Sequence, residues 1–305
     1  MVPELKEPPP ARGTRRRGGD IGAALLFILP ATIGFLGFFL WPTIRGIYLS
    51  FTNYDGSLRP ARWLGLVNYT HMLHDPVLAS SLLVTVEYVV INIVLQTIFA
   101  LGIALLMQRV AKSTLMRGLI LLPYMISNVV VALVWFWMLD PQLGIINQLL
   151  NWFGIGSQSW FGAENLVIPT IALVNVWKFM GYTALLVFAG LQTIPASVYE
   201  ASQLDGAGEV KTFFKITLPL LRPVLALVLI ITVTGSFQIF DTISVTTKGG
   251  PANASNAIQY YIYDQAINRS HFGYGAALSV LLFLILIIVA VFQFKVLRAR
   301  ESDLA

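Results

Sequence analysis

Six runs of about 20 mostly apolar residues constrain this chain more than any other feature, because a helix of that length crosses a bilayer. Charged residues make up only 11% of the chain, whereas soluble domains carry about 25%. A chain so poor in charge cannot cover a globular surface with polar groups, so lipid solvates much of it. The sequence therefore predicts an all-α polytopic membrane protein with six transmembrane helices, at residues 21–43, 78–107, 118–139, 166–192, 219–240 and 273–294.

Lys and Arg are distributed unevenly between the two sets of connections. The richer set holds Lys6, Arg12, Arg15, Arg16, Arg17, Arg109, Lys112, Arg117, Lys211, Lys215, Arg222, Lys295, Arg298 and Arg300, and the poorer set holds Arg59, Arg62, Lys248 and Arg269. Because cytoplasmic loops carry the excess of Lys and Arg, both termini and the connection 193–217 are predicted to be cytoplasmic. The net charge of +5 therefore reflects membrane topology, and no nucleic-acid partner is expected.

The chain divides into a transmembrane domain and two short tails. Residues 1–20 are rich in Pro, Gly and Arg, a composition typical of disorder, and form a basic cytoplasmic tail in this interpretation. The first apolar run is too long for the core of a signal peptide, and no A-x-A cleavage site follows it, so we expect a retained helix. The transmembrane domain then covers residues 21–297, and residues 298–305 form a second cytoplasmic tail.

The sequence lacks the residues that several kinds of catalytic or metal-binding site require. The sequence has no cysteine, which excludes a disulfide framework and a cysteine nucleophile. His71 and His74 have a spacing that a metal ion could use, but no third ligand is close to them in the sequence, so no metal site is expected. Neither a G-x-x-x-x-G-K-[ST] phosphate loop nor a Ser–His–acid set is evident, so the chain is not expected to be an enzyme.

A polar segment with two glycines, YEASQLDGAGEVKTFFKITLP, separates the fourth and fifth apolar runs. Ser197 and Glu200 have the spacing of a capping box, which predicts a helix over residues 198–204 that Gly206 ends. A second helical segment is predicted from Glu209. Helices this short are marginal in water alone, so this elbow (residues 193–217) needs a surface to dock on, either lipid or another protein.

The longer segment EASQLDGAGEVKTFFKITLPLLRP resembles the EAA loop of ABC importer permeases. The matching positions are Glu200, Ala201, Gly206, Ile216, Leu218 and Pro219, while Ser202 stands where alanine is most common. A second segment, FQIFDTISVTTKGGPANASNAIQYYIYDQAI, is similar to the signature of carbohydrate permeases of the maltose and glycerol-3-phosphate type. The two motifs occur in the order that this family has, and the likeness covers nearly the whole membrane region.

This resemblance implies a type I ABC importer permease fold with a cytoplasmic coupling helix, in a bacterial inner membrane. It implies that the permease contacts an ATPase subunit through Glu200, Ala201, Asp205, Gly206 and Ala207. It further implies a second homologous permease, two copies of the ATP-binding subunit and a periplasmic or lipid-anchored solute-binding protein. This chain would bind no cofactor itself, since ATP and Mg would be held by the partner subunits. A sugar, an amino sugar and a glycerol-phosphate derivative all suit it as substrates.

Charges inside spans need a partner or a function, since each costs about 2.5–3.5 kcal/mol at the centre of a span. At 1.5 Å per residue, Glu87 lies about 14 Å and Lys178 about 18 Å along helices that run in the same direction. They are predicted either to pair with each other or to face a substrate cavity. The proposed substrate path comprises Glu87, Asn92, Asn175, Lys178, Tyr182, Gln238 and Asp241, and further polar groups at membrane depth are Gln96, Asn128 and Thr183.

Two other functions are compatible with parts of the sequence. An ion-coupled secondary transporter could titrate Glu87 or Asp241, although it would leave the polar elbow without a purpose. A scaffold subunit without a path of its own would tolerate the loss of polar residues at membrane depth. The importer permease is the function that accounts for both the elbow and the polar residues within the spans.

Overall fold

The computed structural model describes residues 19–109 and 114–297, where the regular elements are helices apart from one isolated bridge between Thr52 and Trp63. The chain forms two compact units, Met1–Tyr48 and Leu49–Ala305. The helices are α1 (Gly19–Phe35), α2 (Trp41–Leu49), α3 (Val67–Met72), α4 (Pro76–Arg109), α5 (Thr114–Met125), α6 (Asn128–Met138), α7 (Ile145–Trp152), α8 (Glu164–Leu191), α9 (Ala196–Leu204), α10 (Glu209–Thr212), α11 (Leu218–Leu220), α12 (Arg222–Ser236), α13 (Asp241–Val245), α14 (Ile258–Tyr263) and α15 (Phe272–Leu297). The predicted all-α class is confirmed.

The predicted tails fall mainly outside the described residues. Residues 1–18 and 298–305 are not among them, and Gly19 and Asp20, placed in the first tail by the sequence, already belong to α1. The first unit continues from α1 through a wide turn, Leu36–Leu40, into α2. Leu25–Leu49 is long and apolar enough to cross a membrane.

The second unit supplies the other spans. Pro76–Arg109, Glu164–Leu191, Arg222–Val245 and Phe272–Lys295 are each long and apolar enough to cross a membrane. With the span of the first unit they make five in the described chain, and a sixth results if a bent pair of helices counts as one span. The six predicted spans are therefore found when the bent pair is counted in this way.

The third predicted span, residues 118–139, is not the single helix that the sequence predicted. Its two halves, Leu115–Met125 and Asn128–Met138, are bent by 87°. Ser127 has an extended backbone, with φ −55° and ψ 141°, and Pro123 inside α5 has no N–H to donate to the preceding turn. Both halves are apolar, so the continuous apolar run in the sequence concealed the break.

The fifth predicted span is also interrupted. The segment between Ser236 and Asp241 leaves the helical path, with Phe240 at φ −139° and ψ −57°, and α13 then continues the span to Val245. Interruptions of this kind are tolerated at membrane depth where the released backbone groups lie within protein or line a cavity. Both broken spans prove to border the same cavity, as described below.

Helix α4 packs along α8, and this pair forms the centre of the second unit. Ala100 and Ala104 of α4 are completely buried, and small residues of this kind allow two helices to approach closely. Close approach is also visible between α5 and α8, where a Cβ on Gly181 would lie 2.1 Å from the carbonyl oxygen of Ile120. Glycine at position 181 is therefore required by the packing of the broken span against α8.

Candidate functional site

A cavity of about 290 Å³ lies among α4, α5, α6, α8, α12 and α13. Five of the seven predicted path residues line it: Asn92, Asn175, Tyr182, Gln238 and Asp241. Gln96, Asn128 and Thr183, which the sequence placed at membrane depth, line it as well. The other residues that line it are Tyr124, Phe179, Leu186, Val228, Ile231, Thr232, Gly235, Ser236, Ile239, Phe240 and Thr242.

Asn92 connects three helices at the floor of this cavity. Its Nδ2 donates to Ser236 Oγ over 2.9 Å and to Gln96 Oε1 over 3.2 Å, and its Oδ1 accepts from Asn175 Nδ2 over 2.9 Å. Gln96 Nε2 in turn donates to Thr183 Oγ1 over 2.7 Å. Asn92 and Gln96 are buried, and hydrogen bonds of this kind hold membrane helices together. The network ties α4, α8 and α12 into one cavity wall.

Aromatic rings form another part of the wall. Tyr124 of α5 stacks on Tyr182 of α8 with ring centroids 4.6 Å apart and planes within 11°. Phe179 meets Tyr124 edge to face at 5.7 Å. Amides, hydroxyls and exposed ring faces in one cavity are the usual composition of a small-molecule site. Tyr124 and Phe179 were not predicted as lining residues, because an aromatic residue within a span does not by itself indicate which side of the helix it lies on.

Charged and polar groups meet at the two breaks beside the cavity. Lys178 Nζ donates to the backbone carbonyl of Ile126, the last residue before the extended Ser127. Asn128 Nδ2, at the start of α6, donates to Asp241 Oδ2 over 2.6 Å. The helix break that the sequence did not predict is thus where two of its predicted path residues make their contacts.

The predicted pairing of Glu87 with Lys178 is wrong. Lys178 bonds to Ile126, whereas Glu87 is exposed on α4, lies outside the residues that line the cavity, and makes no ion pair with Lys178. Depth alone had suggested the pair, but Lys178 is buried against the end of α5 whereas Glu87 is exposed. Lys178 is also absent from the lining residues of the cavity.

The polar elbow contains two short helices joined by a glycine turn. Helix α9 ends as predicted, because Gly206 adopts φ +68° and the N–H groups of Gly206 and Ala207 donate to the carbonyls of Gln203 and Ser202 at 3.0 and 2.9 Å. This is the Schellman arrangement, which glycine favours because it has no Cβ. Helix α10 begins at Glu209, also as predicted, and continues through a wide turn, Phe213–Thr217, into α11.

The predicted capping box at the start of α9 is wrong. The helix begins at Ala196, its N-cap is Pro195, and no side chain caps it. Ser197 therefore lies inside the first turn, where its hydroxyl cannot serve as a cap, and Glu200 is exposed and available for other contacts. Proline at the N-cap, with ψ 142°, starts the helix earlier than the Ser-x-x-Glu pattern suggested.

The elbow has an exposed outer face and a buried inner contact. Glu200, Ala201, Asp205 and Gly206 are exposed, and Leu204 beside them is 90% exposed. On the inner side, Ser202 is buried and its Oγ donates to the carbonyl of Tyr199 over 2.8 Å and lies 3.4 Å from Thr212 Oγ1 of α10. A small residue is needed at position 202 because it packs between the two elbow helices.

An ion pair joins the elbow to the helix that carries Asn92. Arg109 Nη2, at the end of α4, lies 2.7 Å from Glu209 Oε2 at the start of α10. Both side chains are largely exposed, so the pair adds little stability. The pair nevertheless shows that the elbow lies at the C-terminal end of α4, whereas Asp75 precedes the N-terminal end of the same helix.

Asp75, just before α4, anchors the opposite end of the bundle. Its Oδ2 accepts hydrogen bonds from Tyr261 and Tyr274 hydroxyls, each at 2.5 Å, and its Oδ1 accepts from the N–H groups of Val77 and Leu78. Burial would raise the pKa of Asp75, but these four donors together hold the pKa below its usual value. Burial and the adjacent carboxylate raise the pKa of Tyr261. Three separate segments of the chain converge on one carboxylate here.

Comparison with known proteins places these features in context. Residues 96–302 match the family described as "Binding-protein-dependent transport system inner membrane component". The sulfoquinovosyl glycerol transport system permease protein SmoG of Agrobacterium fabrum is 33% identical, over 93% of this chain and 92% of its own length. The trehalose/maltose transport system permease protein MalF of Thermococcus litoralis is 32% identical, over 91% and 94%.

Two further comparisons agree with these. The sn-glycerol-3-phosphate transport system permease protein UgpA of Escherichia coli O157:H7 is 31% identical, over 90% of this chain and 94% of its own. Among solved structures, a chain of a bacterial ABC transporter involved in the import of the acidic polysaccharide alginate superimposes with a TM-score of 0.80 at 22% identity. That match covers 93% of this chain and 99% of the other, so the fold is shared over nearly its full length.

Proposed function

The chain belongs to the family of binding-protein-dependent transport system inner membrane components, and we propose that it forms half of the translocation path of an ATP-driven importer for a carbohydrate or related polyol. It is a multi-pass membrane protein of the ABC permease type. In this proposal both termini and the elbow are cytoplasmic, and the end of the bundle with Asp75 faces a solute-binding protein.

The connection between the elbow and the cavity carries the proposal. Helix α9 follows α8 after four residues, and α11 leads directly into α12. Both α8 and α12 line the cavity. A force applied to the exposed face of α9 is therefore passed through short connections to two walls of the cavity. The exposed set Glu200, Ala201, Asp205 and Gly206, with the less exposed Ala207, is the surface proposed to contact an ATP-binding subunit.

The chemistry of the cavity supports a hydroxyl-rich solute. Amides of Asn92, Gln96 and Asn175 and the hydroxyls of Tyr182 and Thr183 can donate to and accept from hydroxyl groups. The stacked rings of Tyr124 and Tyr182 offer an apolar face beside them. Relatives named for sulfoquinovosyl glycerol, trehalose and maltose, and sn-glycerol-3-phosphate transport agree with this solute class.

ATP and Mg belong to a separate subunit in this proposal, since the sequence has no phosphate-binding loop. Two copies of that subunit and a second permease complete the importer. The chain has no native cysteine, so single cysteines report contacts cleanly. In native membranes, Leu204→Cys should cross-link to a nucleotide-hydrolysing protein, while Leu58→Cys, on an exposed loop at the other end of the bundle, should not. Absence of that product from Leu204→Cys would refute the coupling assignment.

Whole-cell uptake tests the alternative of an ion-coupled transporter. With cellular ATP held constant, a protonophore should leave uptake unchanged if ATP hydrolysis drives it. Uptake that collapses under these conditions would favour the alternative. Glu87→Gln should also leave uptake intact, because Glu87 does not border the cavity.

A further inference from the structure

The break in the third span leaves backbone groups that a continuous helix would pair. The last carbonyls of α5 have no partner within the helix, and at membrane depth an unpaired carbonyl costs several kcal/mol. Helix α5 ends at Met125 and α6 begins at Asn128. The carbonyl of Ile126 lies in this gap.

Lys178 supplies the missing donor from the neighbouring helix. Its Nζ bonds to the carbonyl oxygen of Ile126, and its side chain is only 7% exposed. The ammonium also lies 5.4 Å from the ring centroid of Phe179, a residue that lines the cavity. A cation at the C-terminal end of a helix further stabilises the exposed carbonyl dipoles.

The other side of the break is linked to the second interrupted span. Asp241 begins α13, immediately after the irregular segment of the fifth span, and its Oδ2 accepts a hydrogen bond from Asn128 at the start of α6. A buried cation on α8 thus contacts the chain at the end of α5, and a carboxylate contacts it at the beginning of α6.

We infer that Lys178 is a positioning residue which holds the broken third span bent beside the cavity, and that its ammonium is engaged by the Ile126 carbonyl instead of by the transported solute. The inference rests on the proposed function only where it calls the cavity a solute path. The role of Lys178 in the bend stands on the contacts themselves.

Spin labels on the two halves of the span measure the bend directly. Leu115 and Trp137 are exposed. Because the chain has no native cysteine, a protein that carries both Leu115→Cys and Trp137→Cys is spin-labelled at these two positions only. One straight helix would separate the two backbones by about 33 Å, whereas a right-angle bend between its halves gives about 23 Å. Pulsed electron paramagnetic resonance on the full chain in lipid nanodiscs distinguishes these two distances.

Lys178→Met should move or broaden the distance distribution toward the longer value, and Lys178→Arg should restore the short distance. Glu87→Gln is the matched control, since it also removes a charge from a span but not at the break, and it should keep the native distribution. If Lys178→Met does not accumulate in membranes, Lys178→Gln carries the same measurement. A distribution unchanged in each variant that inserts would overturn the inference.

Uptake kinetics provide a second measurement. A positioning role predicts that Lys178→Arg keeps transport, and that Lys178→Met lowers Vmax while the apparent KM stays within about twofold of the parent value. A KM that rises more steeply for anionic than for neutral solutes would make Lys178 a solute ligand and overturn the inference. The distance measurement needs no transport, so it remains informative even if the importer assignment fails.

Discussion

Asn128 donates through Nδ2 to Asp241 Oδ2 over 2.6 Å, and this bond joins the two interrupted spans of the second unit. Each residue stands at the first position of the helix that resumes after a break. Both line the cavity. The two irregular segments are therefore connected to each other at the site they shape, and a shift of one is transmitted to the other.

A double-mutant cycle should detect this connection. Interhelical hydrogen bonds in membranes contribute about 0.6 kcal/mol on average and up to about 1.7 kcal/mol, so the carboxylate bond should lie toward the upper value. We expect Asn128→Ala and Asp241→Ala to be less destabilising together than the sum of the single changes. Unfolding of the four proteins in mixed detergent micelles checks this. Additive effects would mean that the bond contributes no coupling.

The elbow offers a matched pair of glycines. Gly206 has φ +68° and its N–H bonds to Gln203, whereas Gly208 has φ −68° and open space where a Cβ would lie. Glu200→Ala combined with Gly206→Pro should reduce ATP-driven uptake by about 5- to 150-fold, the range of ordinary coupling free energies. Proline cannot adopt the required φ and removes the N–H.

Membrane insertion should be unaffected by that combined change, and Gly208→Ala should transport normally. Uptake and ATP hydrolysis are measured in the same proteoliposomes, so uncoupling is distinguished from loss of the ATPase subunit. Normal transport with both Glu200→Ala and Gly206→Pro would show that the elbow is not the coupling element.

Packing of the broken span on α8 should depend on Gly181. An added methyl group at this position would meet the Ile120 carbonyl at 2.1 Å, a backbone atom that can move only with its helix. Gly181→Ala should therefore destabilise the protein by about 1–3 kcal/mol. Gly102→Ala in α4, where an added Cβ meets nothing within 4 Å, should be neutral or slightly stabilising. Thermal unfolding in detergent compares the two, and equal melting temperatures would contradict the tight contact.

Acidification should loosen the end of the bundle that holds Asp75. Its pKa is lowered from the ordinary value of 3.8, so its contribution to stability is complete above that value. The contribution is lost as pH falls through the lower, folded-state pKa. Below about pH 4, the stability of the parent protein should fall more steeply than that of Asp75→Asn. Tyr261→Phe, which removes one donor, should shift the loss to higher pH, and parallel curves for all three proteins would exclude this role.

Features that depend only on neighbouring residues in the sequence were predictable. The spans follow from uninterrupted apolar length, and the end of α9 follows from Gly206, because only glycine adopts φ +68° without strain. Asn92, Asn175 and Tyr182 line the cavity, since polar groups at membrane depth turn away from lipid, and their place in a substrate path stays a prediction. The start of α9 was wrong because Pro195 outweighed the Ser197 pattern.

The sequence by itself determined that this chain is a helical membrane protein with a polar elbow between its fourth and fifth crossings, because hydropathy and turn geometry depend on neighbouring residues. Only the tertiary structure decided that the third span breaks at Ile126 and that Lys178 meets this carbonyl instead of Glu87. The physical reason is that a buried charge is stabilised by whichever acceptor the packing brings within hydrogen-bonding distance. That acceptor is a backbone carbonyl, which no side-chain pattern reveals.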